Sequence, residues 1–290
     1  MLQESYLIWG WYSVLRYVSG STGQEMVLSG ENIRARIRKA GLYEYEWEVD
    51  ESSEILGSII NGFEKKPKKY NLIIDFLGGK EERRSNANRF FELVERDVLE
   101  GTIGRLYFKD YYIECYIVGS EFNVADDRYR AVQKEVKVYA PYPFWQKEIK
   151  KQLLAQKNNE DEGGIDFPFD FEFDFSADMI GAKTWTVDHY GESNFQMIFY
   201  GPCQDPKATI NGYPYQIFTT LESSDYLIID SRRHSVVKYL ANGTTSNLYN
   251  SRQMERSVFE KIPSGELVIG WPGTFGIDLI LFLERSEPEC

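Results

Sequence analysis

Two aromatic clusters flank a charged, apolar-poor segment and divide the chain. The stretch opens with Ala140-Pro141-Tyr142-Pro143-Phe144-Trp145 and closes with Asp166-Phe167-Pro168-Phe169-Asp170-Phe171-Glu172-Phe173-Asp174-Phe175. Each proline lacks a backbone N–H and pushes the residue before it toward extended geometry, so regular structure stops near Ala140. Residues 146–164 are rich in Lys, Glu, Asp, Asn and Gln and end on Gly163-Gly164. That composition buries too little apolar surface to offset the entropy of ordering it as a core. The expected organisation is a first domain at 1–145, a linker at 146–165 and a second domain at 166–290. A surface loop within one large domain is the alternative, and five phenylalanines in ten residues count against it.

Those phenylalanines alternate with proline and acidic residues, a period of two that makes one aromatic and one acidic strand face. The strand is expected to begin the second domain. Its acidic row has the oxygen chemistry that calcium takes, but carboxylates along one strand diverge, and a solvated face is the better assignment.

The formal net charge of −12 disfavours a sequence-independent grip on nucleic acid, which needs clustered Lys and Arg. A surface of DNA's own sign still lets a duplex pass without sticking. Cys115, Cys203 and Cys290 are odd in number and widely spaced, which implies neither a disulfide framework nor a zinc knuckle. Residues 7–15 are apolar but lack a basic start and a cleavage site, and no stretch approaches the length of a membrane span. A cytoplasmic site of synthesis and no membrane insertion are expected. Asn242-Gly243-Thr244 is better taken as a turn than as a glycosylation acceptor.

In the first domain, residues 6–18 have strand composition and end at Ser19-Gly20-Ser21-Thr22-Gly23. At 43–50, Tyr43, Tyr45, Trp47 and Val49 fall on one face of a predicted strand, with Glu44, Glu46, Glu48 and Asp50 on the other. Carboxylates side by side on one face stay ionised rather than splitting into acid and base, so no glycosidase pair is expected here. A lumen-facing or solvent-facing acidic stripe is the expectation for Glu44, Glu46 and Glu48. Residues 70–76 predict a strand stopped by Gly78-Gly79. Ala87, Phe90, Phe91, Val94 and Val98 then predict a helix between a cap at Ser85 and Gly101, with Arg83, Arg84, Arg89, Glu92, Glu95 and Arg96 outward. A hairpin over 104–108 and 111–118 turns at Lys109-Asp110, and a strand at 132–139 runs into the proline boundary. One helix on an antiparallel sheet makes an α+β, split-barrel first domain.

This order of features resembles the distal tail protein family of siphophages. The pieces are the Tyr-rich strand, the helix ending Asp97-Val98-Leu99-Glu100-Gly101, the Gly104-Arg105-Leu106-Tyr107-Phe108 and Tyr111-Tyr112-Ile113-Glu114-Cys115 strands, and the proline-aromatic exit with the Phe-rich strand behind it. The resemblance covers roughly residues 43–283, while residues 1–42 match poorly. It implies a homo-hexameric ring at the distal end of a tail, between the tail tube protein and the host-recognition hub. The implied first domain is tail-tube-like and the second a galectin-like or carbohydrate-module-like sandwich. The implied partners are a second copy, the tube, a tail-associated hub protein, and a receptor-binding protein or host glycan, with DNA passing through the ring. The implied location is the virion tail, of either a phage or a tail-derived particle. No catalytic residue comes with the resemblance.

In the second domain, strands are predicted at 183–189, 194–200, 216–220, 225–230, 235–240, 265–270 and 274–283. Asn211-Gly212, residues 230–234, Asn242-Gly243 and Pro263-Ser264-Gly265 supply chain reversals. Short strands at this spacing without a helical period make a β-sandwich, so the whole chain is expected to be mostly β. Trp185, Tyr213, Tyr215 and Trp271 are candidates to stack on a sugar. A carbohydrate-binding module is therefore the alternative to a structural ring. Two histidines, His189 and His234, make no metal cluster; no Gly-x-Ser-x-Gly is present, and Gly78-Gly79-Lys80 lacks phosphate-loop spacing. Neither an enzyme nor a cofactor is expected.

Overall fold

A computed structural model describes residues 15–36, 40–126, 131–155 and 181–288. The Phe-rich segment at 166–175, Cys290 and the part of the first predicted strand before residue 15 lie outside the described residues. The chain is mostly β and divides into two compact units, residues 1–147 with 284–290 and residues 148–283.

The first unit contains β1 (Leu15–Val18), β2 (Glu25–Val27), β3 (Ile33–Ala35), β4 (Glu48–Glu54), β5 (Gly57–Glu64), β6 (Lys68–Leu77), α1 (Lys80–Glu100), β7 (Gly104–Phe108), β8 (Tyr111–Asp126) and β9 (Ala131–Ala140). Strand β8 is shared between two antiparallel ladders. Its first residues pair with β7 in the order β2-β1-β7-β8, and the rest pairs with β9 in the order β8-β9-β6-β3. Alternation decides which side is core: Leu72, Ile74 and Phe76 of β6 meet Val136 and Val138 of β9, and Phe90, Leu93 and Val94 of α1 pack among them. Ala140 ends β9 where the prolines require it.

Helix α1 begins five residues before the expected cap at Ser85. Gly79 is the N-cap, and its N–H donates to Glu82 Oε2 at 3.3 Å. Glu81 and Glu82 in the first turn favour the positive end of the helix. Gly101 ends it as expected, at φ 65° in the left-handed region. Arg83, expected outward, is instead buried, because it falls on the Phe90 and Val94 side of the helix.

Residues 146–153, expected to begin the linker, are in strand β10 (Trp145–Leu153), which enters the second unit. The composition misleads because Lys and Glu alternate with Trp145, Ile149 and Leu153, and the charges find partners: Lys147 with Asp110 at 3.1 Å and Lys150 with Asp278 at 2.8 Å.

The second unit continues with β11 (Gly181–Val187), β12 (Asn194–Tyr200), β13 (Cys203–Gln204), β14 (Lys207–Ile210), β15 (Tyr213–Gln216), β16 (Thr220–Leu221), β17 (Tyr226–Asp230), β18 (Ser235–Tyr239), β19 (Thr245–Asn247), β20 (Gly265–Trp271) and β21 (Ile277–Arg285), the last running on into the first unit. One sheet has the order β19-β18-β17-β12-β21-β10, the other β11-β20-β14-β15. Phe195, Phe199, Leu227 and Leu279 of the first share a single core with Ala208, Ile210, Leu267 and Trp271 of the second, which makes a sandwich. Asn211 and Gly212, at φ 49° and 79°, form the two-residue turn of the β14–β15 hairpin, whose strands sequence reasoning missed. The strand predicted at 216–220 is split between β15 and β16, with irregular chain between them.

Candidate functional site: an apolar hairpin, a caged lysine and a helix-edge groove

The acidic segment of the first unit differs from its expected form. Residues 44–47 belong to no ladder, and pairing starts at Glu48. Tyr43, Tyr45 and Trp47 therefore form no core face; all three are exposed. Period-two alternation signals the strand only from Glu48 on, and whether a face is covered depends on a partner that the local pattern does not encode.

Strands β4 and β5 form a hairpin whose residues, apart from half-buried Gly62, are exposed on both faces. Its pairing sorts the side chains. Val49 lies opposite Phe63 and Glu51 opposite Ile60 on one face; Glu48 lies opposite Glu64, Asp50 opposite Gly62 and Ser52 opposite Ile59 on the other, with Glu54 further along. A one-residue irregularity between Asp50 and Glu51 keeps that sorting past Asn61. The tip is Ile55-Leu56, 98% and 99% exposed. Aliphatic residues are unusual at such a turn, where Gly, Asn and Asp supply the needed geometry. An isolated two-stranded hairpin is marginal in water, so this one needs a surface against its apolar side.

Of the three predicted acidic residues, Glu48 is in β4, paired across the ladder with Glu64 and joined in an ion pair to Lys66. Glu44 and Glu46 lie before it in the irregular segment, where the Glu44 carbonyl accepts from Lys68 Nζ. All three carboxylates are on exposed residues.

At the hairpin's base sits Lys65. Its Nζ lies 4.3 Å from the centre of the Phe144 ring, 5.5 Å from Trp47 and 5.7 Å from Tyr45, and has no hydrogen-bond partner among the described residues. Desolvation, helped by repulsion from Lys68, brings its ammonium down to about 8. The three rings and the cation thus hold residues 45–47, the start of the β5–β6 connection and the proline exit together. With the folded value below the ordinary lysine value, the unfolded chain binds more protons between about pH 8 and pH 10.5, so stability rises with pH across that window. Thermal melts at pH 7.5 and pH 10.5 are expected to show wild type gaining on Lys65→Met; parallel curves would remove the cage's titration from the account.

A second apolar surface lies at the edge of α1. Phe91, Val94, Val98 and Leu99 face Ile117 to Ser120 of β8 across a cavity of about 220 Å³, with Glu95 at its rim. Val98, Leu99 and Val118 are exposed, as is Phe122 further along β8. Sequence reasoning placed the helix but missed this groove, whose signal was the apolar Val98-Leu99 pair extending past the buried stripe.

In the second unit the four sugar-stacking candidates separate. Tyr215 and Trp271 are each 1% exposed and belong to the core, so neither offers a ring face to a ligand. Their polar atoms are satisfied internally: Tyr215 Oη donates to the Glu260 carbonyl and Trp271 Nε1 to the Phe275 carbonyl. Trp185 and Tyr213 are partly buried against the same core. Tyr213 donates to the Ser257 carbonyl at 3.0 Å and lies under Arg256. The four do not converge on one exposed platform. Among the described residues, no group of His, Cys, Asp and Glu is placed to hold a metal, and no helix is long and apolar enough to cross a membrane.

No protein-family model matches the sequence, and no curated protein matches it. Solved structures match in fold. One is the SPP1 Dit protein, described as a paradigm of the hub adsorption apparatus in phages infecting Gram-positive bacteria. It aligns with a TM-score of 0.57 at 10% identity, over 94% of this chain and 99% of that one. A chain of the phage P2 baseplate, in its activated conformation with calcium and again with strontium, aligns with a TM-score of 0.59 at 12% identity, over 95% of this chain and 100% of that one. At such identity the likeness establishes the fold, and it does so across both units.

Proposed function

We propose that this chain is a structural subunit of a phage tail or tail-like particle, located in the virion tail, where six copies close a ring between the tail tube and the host-recognition hub. The observation that carries this is the fold likeness to a hub protein and a baseplate chain along nearly the whole length. The hairpin adds support, because a single copy leaves its apolar side and its Ile55-Leu56 tip uncovered. Closed rotational symmetry covers such surfaces in a fixed number of copies.

In the ring, Glu44, Glu46 and Glu48, with Asp50, Glu54 and Glu64 of the same hairpin, face the channel. A lumen of DNA's own sign lets the duplex pass without adhering. The role requires no chemistry beyond interface burial.

Light scattering over a concentration series, with negative-stain images, tests the ring. The expected species has six times the 33.8 kDa monomer mass and an open centre. A monomer at every concentration counts against it. Reversing Glu44, Glu46 and Glu48 to lysine is expected to leave tails assembled and to slow DNA delivery at least tenfold at low salt, an effect that added salt weakens. Unchanged delivery removes the channel assignment.

A further inference from the structure

We propose that the Ile55-Leu56 tip of one copy docks into the groove between α1 and β8 of the next copy. The inference rests on the ring reading and specifies the contact that builds it.

The two surfaces fit in chemistry and in size. Residues 48–64 carry five acidic residues and no basic one. Lys134 stands beside the groove, with Nζ 5.2 Å from the centre of the Phe122 ring and 5.9 Å from Phe91. Lys80 and Arg84 lie on the same helical stripe as Phe91 and Val98, at the i+4 and i+7 spacings that bring residues onto one face. Glu51, which shares the face of Val49, Ile60 and Phe63, therefore has cations to meet on an arriving hairpin, with Glu95 the one acidic residue at the rim. At about 220 Å³ the groove is smaller than the roughly 300–1,000 Å³ typical of small-molecule sites and suits a pair of aliphatic side chains.

The hairpin and the groove are different patches and each copy offers one of each, so in a ring the contact runs head-to-tail. Such an interface closes into a ring when its rotation permits. The wild-type mass separates it from a reciprocal two-fold contact, which stops at a dimer.

In full-length protein, Ile55→Asp with Leu56→Asp is expected to weaken association at least about 100-fold, the loss of two buried aliphatic side chains, while the melting temperature matches that of wild type diluted to monomer. Leu99→Asp, also at an exposed residue, is expected to act likewise. Mixing the two variants leaves one intact contact per pair, so dimers form and rings do not. As an independent readout, Leu56→Cys with Val118→Cys, in a Cys203→Ser, Cys290→Ser background, is expected to give intermolecular disulfides under mild oxidation.

Rings that persist in the tip variant, with no crosslink in the cysteine pair, overturn the docking while leaving the ring intact. Wild-type protein that never exceeds monomer mass overturns both. Rings restored in the mixture overturn the head-to-tail assignment and place the groove under another occupant.

Discussion

Replacing Asp97 with asparagine is expected to destabilise the first unit by about 3–5 kcal/mol, more than any surface change in the chain. Asp97 is fully buried on α1, yet its carboxylate accepts five hydrogen bonds. Tyr17 Oη and Ser19 Oγ each donate at 2.7 Å and Ser21 Oγ at 2.6 Å, with the backbone N–H of Ser21 at 2.9 Å and of Gly20 at 3.2 Å. An asparagine removes the charge and turns an N–H₂ toward groups that are themselves donors. The site is closely packed around that geometry: a Cβ on Gly104 would stand 2.1 Å from Tyr17 Oη, so the position admits only glycine while the tyrosine stays in place. For a unit of this size the loss corresponds to a drop of about 10 °C or more in its melting temperature.

The same carboxylate fixes a pH dependence. Burial works to raise its pKa, and the hydrogen bonds from Ser19, Ser21 and Tyr17 outweigh that, so it titrates below the usual 3.8. A group depressed in the folded state contributes stability that is present above the unfolded pKa of about 3.9 and is lost as pH falls through the folded value. Wild type is therefore expected to lose more stability than Asp97→Asn between pH 4 and pH 2. Equal acid sensitivity would mean that the donors, and not the charge, hold the turn at residues 19–23 against the helix. Either way the consequence reaches the groove, because Val98 and Leu99 follow Asp97 directly.

Where local pattern and local environment coincide, the sequence was sufficient. Strand β6, the β7–β8 hairpin and the Gly101 helix end follow from periodicity and turn chemistry alone. Failures occurred where a partner decides. Tyr43, Tyr45 and Trp47 have the spacing of a core face but stay exposed, Tyr45 and Trp47 beside Lys65 and Tyr43 against Phe108, and Glu44 and Glu46 precede the ladder they were expected to join. β10 has the composition of a linker because its lysines reach Asp110 and Asp278, residues far away in sequence. β14 and β15, four residues each, are too short to show a period. Of the candidate docking surfaces, the hairpin's acidic residues were visible in the sequence. Its sorted faces were not, since they depend on the irregularity after Asp50 that sets the register.

Trp271→Ala is the second substitution expected to have a large effect, and the effect is on stability rather than on binding. The indole is fully enclosed in the sandwich core and its N–H is satisfied by the Phe275 carbonyl at 3.2 Å. Truncation leaves a large cavity and an orphaned acceptor, with a cost of about 3–5 kcal/mol. The expected signature is a lowered denaturant midpoint for the second unit while the melting of the first is unchanged. Loss of glycan retention in this variant would therefore carry no information about a sugar site, because unfolding alone produces it. Tyr213 and Trp185, only partly buried, are where such a site can be tested: their alanine variants are expected to stay folded, with costs nearer 1–2 kcal/mol. Binding of wall polysaccharide that vanishes in folded Tyr213→Ala or Trp185→Ala protein would move the second unit from a structural to a recognition role. Retention equal to a buffer control in wild type would leave interface burial as the work of both units.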